Sequence, residues 1–171
     1  FIQGLHEKFG DFFLIPEGGT NEFAVKGCKE FASEKLSSIA FDALMLPVGT
    51  GGTMAGIVAG LGDAKEILGV SVLKNGEFLR NEIQALLENN SALAYGNWSI
   101  LTSYDHGGYA KVTQELLDLV TAMKKQHNLP LDTVYTGKLM SALLKETERG
   151  RFPRGSTVLA LHTGGLQGNY F

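Results

Sequence analysis

An apolar run that breaks at Gly49-Thr50-Gly51-Gly52-Thr53 and resumes as an Ala/Gly-rich apolar stretch leaves a chain few ways to fold. Residues 41–48 (FDALMLPV) read as a buried strand, 54–61 as a closely packed helix, and 49–53 as the turn between them. Such a turn gathers unobstructed backbone N–H groups at the positive end of a helix dipole, which makes it a cradle for phosphate. Thr50 and Thr53 can add hydroxyl donors. No Gly-Lys-Ser/Thr follows, so this is not a nucleotide P-loop. The usual dinucleotide fingerprint is also absent, because the sixth position of Gly-Thr-Gly-Gly-Thr-Met holds no glycine. A turn that only packs a helix is the plain alternative.

The same logic extends along the chain. Of 22 glycines, many fall in clusters: Gly18-Gly19, Gly49 with Gly51-Gly52, Gly107-Gly108 and Gly164-Gly165. Clusters between apolar runs mark positive-φ turns or close approach to a ligand. Phe12-Phe13-Leu14-Ile15 reads as a buried strand stopped by Pro16, followed by a helix over about 22–37 that Thr20 or Asn21 can cap. Further strands are predicted at 67–72, 98–101 and 157–161. Helices are predicted at 77–90, 110–127 and 139–148. Strands alternating with helices imply an α/β fold: a doubly wound, mostly parallel sheet with helices on both faces.

Bulk properties exclude other classes. The net charge of −3 and dispersed basic residues give no footprint for nucleic acid or an anionic membrane. The Arg149/Arg151/Arg154 group reads as solvated helix ends and turns. No apolar run approaches a membrane span, and no signal peptide opens the chain. The single cysteine, Cys28, excludes an internal disulfide and fits a cytoplasmic protein; it reads as a small packing residue. His6, His106 and His127 show no metal-ligand spacing, so no metal site is expected.

Four segments in order carry a family resemblance: Pro16-Glu17-Gly18-Gly19-Thr20-Asn21, the 49–56 turn, Asp132-Thr133-Val134-Tyr135-Thr136-Gly137-Lys138, and His162-Thr163-Gly164-Gly165. Together they resemble the D-cysteine desulfhydrase / 1-aminocyclopropane-1-carboxylate deaminase family, pyridoxal-phosphate enzymes of the tryptophan-synthase-β fold type. The resemblance implies that Gly49, Thr50, Gly51, Gly52 and Thr53 hold the phosphate of pyridoxal 5'-phosphate. Thr163 (or Thr136), with Gly164 beside it, meets the pyridine nitrogen, while Tyr109 and Tyr135 face a small amino-acid substrate. It also implies a homodimer, and a buried His162 bonding beside the cofactor turn.

Deaminases of that family carry Glu after the motif tyrosine, whereas Thr136 stands here, as in the desulfhydrases. A threonine hydroxyl can bond an unprotonated pyridine nitrogen, giving a weaker electron sink that suffices for elimination of thiolate. Elimination and deamination of D-cysteine is therefore the expected activity. The deaminase reaction is one alternative, and a catalytically silent cofactor- or phosphate-binding domain is another. The Schiff-base lysine and the serine after it belong to motifs absent from these 171 residues. Lys138 belongs instead to the start of a helix. Residues 1–171 thus read as the C-terminal part of the cofactor-binding large domain, with the lysine-bearing segment and small domain upstream. The fragment by itself is then expected to be inactive.

Overall fold

The computed structural model of the protein describes residues 1–90 and 95–168. Its ten principal elements run α1 (Ile2–Phe9), α2 (Glu22–Phe31), β1 (Ala43–Val48), α3 (Gly52–Leu61), β2 (Glu66–Ser71), α4 (Leu79–Asn90), β3 (Trp98–Leu101), α5 (Gln114–His127), α6 (Thr136–Glu148) and β4 (Val158–Ala160). The strands form one parallel sheet in the order β3-β2-β1-β4. Register runs from Ala43 opposite Glu66 to Val48 opposite Ser71, with Ala43 also opposite Val158 and Ile67 opposite Trp98.

β1 is buried along its whole length, the consequence of a parallel strand covered on both faces. Alternation sends Leu44, Leu46 and Val48 into a core shared with Val25, Met54, Ile57, Val58 and Ile83. Met45 points the other way, into a core with Leu68, Val70, Leu139 and Ala142. Helices α2, α3 and α4 therefore cover one face, and α6 the other, with α5 packed against α6 through Leu116 and Val120. Sheet and layers match the α/β expectation.

Helices α2 and α3 meet backbone to backbone. A Cβ at Gly56 would lie 2.6 Å from the Val25 carbonyl, and one at Gly60 2.5 Å from that of Lys29. Asn21 caps α2, its side-chain oxygen accepting from the Ala24 amide at 2.9 Å. The helix expected to 37 loosens into a π-turn at Ala32–Leu36.

Three expectations need correction. Residues 12–15 form no strand, and Phe13 and Ile15 are 68% and 69% exposed. An apolar tetrad asks for burial, but a strand also needs an adjacent edge, and none pairs with it. The helix expected from 110 begins at Gln114, where Thr113 caps it, because Ala110 has a positive φ of 54°. Arg149 and Arg151 are not merely solvated: they bind Glu146, and Arg151 also binds Glu66 at 2.8 Å. Among the described residues, no helix is long and apolar enough to cross a membrane.

Candidate functional site

The chain leaves β1 toward β2 and β3, then returns on β1's other side as β4. Connections diverge at such a switch point, leaving a crevice beyond the carboxyl ends of the two strands. The 49–53 turn follows β1 and the 162–165 turn follows β4, so both open there.

At the first turn, Gly51 is the N-cap of α3 with φ 90°, and its carbonyl accepts from the Ala55 amide at 2.9 Å. That is the first bond of the helix ladder, so the amides of residues 52–54 have no acceptor within it. A Cβ at Gly51 would lie 2.6 Å from Ile83 Cγ1, so the turn needs glycine for space as well as for φ. The hydroxyls of Thr20 and Thr50 bond each other at 2.6 Å, drawing the 16–21 turn against the bend. Gly52 faces the Thr20 hydroxyl, 2.8 Å from where its Cβ would stand. Thr53 turns its side chain to the Cys28 thiol instead. Burial pushes that thiol's pKa up, and the Thr53 bond partly offsets the rise. Thr53 therefore offers its amide, while Thr20, expected only as a helix cap and as part of the 16–21 motif, lies at the bend with its hydroxyl on that of Thr50. With donors alone and no carboxylate among residues 49–54, the bend suits a phosphate dianion.

Two tyrosines stand beside it. The Tyr135 ring lies 3.5 Å, and its hydroxyl 3.6 Å, from the position of a Cβ on Gly49. Tyr109, half exposed, packs edge-on against Tyr135 with centroids 6.0 Å apart at 74°. Burial, then the Tyr109 hydrogen bond and the charges of Tyr109 and Asp132, push the Tyr135 phenol up to about 12.

Tyr135 is presented by a turn built on Asp132, which is 2% exposed. Its Oδ1 accepts from the amides of Val134 and Tyr135, each at 2.7 Å. Oδ2 accepts from the Thr136 amide at 2.9 Å and the Thr136 hydroxyl at 2.6 Å. Burial alone would raise this carboxyl's pKa, but the bonds from Thr136, Tyr135 and Val134 outweigh it and hold it below the usual carboxylate range. The Thr136 hydroxyl also accepts from the Asp132 amide at 2.9 Å, so it is spent inside the turn.

The turn after β4 packs on the same carboxylate: a Cβ at Gly165 would lie 3.1 Å from Asp132 Cγ. His162 Nδ1 accepts from the Gly164 amide at 3.1 Å and Nε2 meets the Pro130 carbonyl at 3.0 Å. An amide only donates and a carbonyl only accepts, so the ring carries its proton on Nε2. His162 bonds as expected but is exposed rather than buried. Thr163 is exposed, and among the described residues its hydroxyl has no hydrogen-bond partner. Lys138, one turn into α6 from Tyr135, is 0% exposed and donates to the Gly108 carbonyl at 2.6 Å and the Val72 carbonyl at 3.4 Å. The sequence signalled only its helical position, not that its ammonium reaches into the core.

Comparison with known proteins gives a consistent picture. A family model described as "Pyridoxal-phosphate dependent enzyme" matches residues 2–164. A D-cysteine desulfhydrase of Yersinia enterocolitica is 29% identical over 90% of this chain and 50% of its own length. A 1-aminocyclopropane-1-carboxylate deaminase of Rhizobium radiobacter is 27% identical over 96% of this chain and 53% of its own length. A bifunctional D-cysteine desulfhydrase/1-aminocyclopropane-1-carboxylate deaminase, mitochondrial, of Arabidopsis thaliana is 32% identical over 92% and 42%. The crystal structure of an ACC deaminase homologue superposes with a TM-score of 0.80 at 25% identity, over 97% of this chain and 53% of that one. The chain thus spans about half the length of the curated relatives it matches.

Proposed function

Because the chain belongs to the pyridoxal-phosphate dependent enzyme family, we propose that its crevice holds pyridoxal 5'-phosphate for β-elimination and deamination of a small amino acid, D-cysteine foremost. The supporting observation is the donor-only 49–53 bend lying against Tyr135 at the switch point of the sheet. When bound, the coenzyme supplies an electron sink for negative charge at the substrate's Cα. The amides of residues 52–54 grip its phosphate, joined by the one hydroxyl proton that the Thr20–Thr50 bond leaves over. Thr163 donates its free hydroxyl to the pyridine nitrogen; the Thr136 hydroxyl supports the site through Asp132.

Tyr135, with its phenol pushed up to about 12, keeps its proton at neutral pH. It therefore serves as a hydrogen-bond donor, to the substrate carboxylate or to departing sulfur, rather than as a base. Tyr109 orients it and closes the outer side. Overall, a proton leaves Cα and thiolate leaves Cβ; water then releases ammonia and pyruvate, and the thiolate departs as sulfide. The Schiff-base lysine is supplied by sequence outside these residues.

Relatives of both names leave a second reading, ring opening of aminocyclopropane carboxylate. The buried, Asp132-bound Thr136 at the position of that activity's glutamate weighs against it. The test is to assay the full polypeptide with D-cysteine, L-cysteine and aminocyclopropane carboxylate. Sulfide from D-cysteine is the expected result. A colourless protein whose melting is unmoved by added coenzyme would overturn the proposal, including the phosphate site.

A further inference from the structure

We propose that Lys138 is a positioning residue that holds Tyr109 against Tyr135 by gripping the carbonyl of Gly108. The inference rests on the reading above only for what the two tyrosines face.

Lys138 lies three residues after Tyr135 and is fully buried. An ammonium in such a place is costly to desolvate, and an apolar side chain would fill the slot without that cost. No carboxylate pairs with it at ion-pair distance among the described residues. Burial lowers its pKa, and the charges of Asp105 and Asp132 oppose that fall from farther off. Its ammonium donates to two backbone carbonyls: Gly108 at 2.6 Å, and Val72, just past β2, at 3.4 Å. One side chain therefore joins the strand end, the turn of Tyr135, and the residue immediately before Tyr109.

The loop's own geometry makes this grip specific. Gly108 has φ 114°, and a Cβ there would lie 3.2 Å from Lys74 Cβ. Its amide bonds the Asp105 carbonyl at 3.0 Å, closing the bend that presents its carbonyl to Lys138. One helical turn along the same face of α6, Ser141 meets His106 at 3.0 Å. That contact holds the loop but does not adjoin Tyr109.

The test reads Tyr135 in the coenzyme-free full polypeptide, by NMR of tyrosine labelled at Cζ and assigned with Tyr135→Phe. With its pKa at about 12, Tyr135 should be roughly one-tenth ionised at pH 11 in the parent protein, where Lys138, even as a neutral amine, still has an N–H to donate to the Gly108 carbonyl. Lys138→Met should free Tyr109, remove its hydrogen bond and charge from Tyr135, and so leave Tyr135 clearly more ionised at that pH than in the parent. In the coenzyme-loaded protein the same change should lower kcat about 100-fold while coenzyme affinity moves less than about threefold, since a small misplacement suffices. Ser141→Ala should leave the Tyr135 titration as it is; an equal shift there would mean general loosening and overturn the proposal. A folded Lys138→Met protein with Tyr135 still un-ionised at pH 11 overturns it too. Should that variant not fold, Gly108→Ala displaces the same carbonyl, and an unshifted Tyr135 in it is equally decisive. Failure of the parent protein to bind coenzyme would sink the functional reading but leave this titration intact.

Discussion

Where the strands begin, charge meets charge; where they end, charge meets backbone. At the first edge Glu146, in the last turn of α6, accepts from the Tyr104 hydroxyl and from Arg149 at 3.2 Å, and pairs with Arg151 at 3.4 Å. Arg151 continues to Glu66 at the start of β2, 2.8 Å away. At the other edge Asp132 is satisfied by three amides and a hydroxyl, and Lys138 by two carbonyls. Paired side chains tie finished elements into a frame. Charges satisfied by main chain shape the loops themselves, here the turn that carries Tyr135 and the bend before Tyr109. The first edge joins elements to one another; the second shapes the loops of the proposed site.

Substitutions can break that contrast. The largest effect is expected at Asp132→Ala, which orphans three amides in a buried turn and should cost about 3 kcal/mol in urea unfolding. Asp132 carries a depressed pKa when folded, so its contribution is complete above the ordinary carboxyl value and lost as pH falls through that value toward the folded one. The melting temperature should therefore begin to drop below about pH 4, less steeply in Asp132→Asn. Gly51→Ala comes next, forcing a Cβ at φ 90° against Ile83. It should cost about 2 kcal/mol and weaken coenzyme binding more than tenfold by fluorescence titration.

Glu146→Gln tests the opposite edge. Its partners Arg149 and Arg151 are partly solvent-exposed, so the loss should be about 1–2 kcal/mol. Coenzyme affinity should not change; a large change would erase the distinction between the edges. Thr163→Val should be the quietest in stability, within about 0.5 kcal/mol, because its hydroxyl holds nothing in the fold. It should nonetheless reduce kcat about tenfold in a steady-state assay, as one lost hydrogen bond at the coenzyme would.

Much of this was legible in the chain. Continuous apolar runs at 41–48 and 67–72 announced buried strands, and the glycine turn after the first announced the bend that opens α3. The expected strand at 12–15 failed for the complementary reason: hydrophobicity reports a wish for burial, not whether an edge is at hand. Thr136 shows the same gap at the site. Its motif position suggested the coenzyme, but hydrogen bonds to a carboxylate four residues earlier engage its hydroxyl first.

Sequence by itself determined the alternation of strands and helices, the places where only glycine can turn, and the family. Those are local properties, set by periodicity, φ preference and motif. Tertiary structure decided which hydroxyls remain free, why Tyr135 keeps its proton, and that Lys138 binds a loop 30 residues away. Burial and hydrogen-bond partnership depend on residues distant in the chain, so no local pattern encodes them.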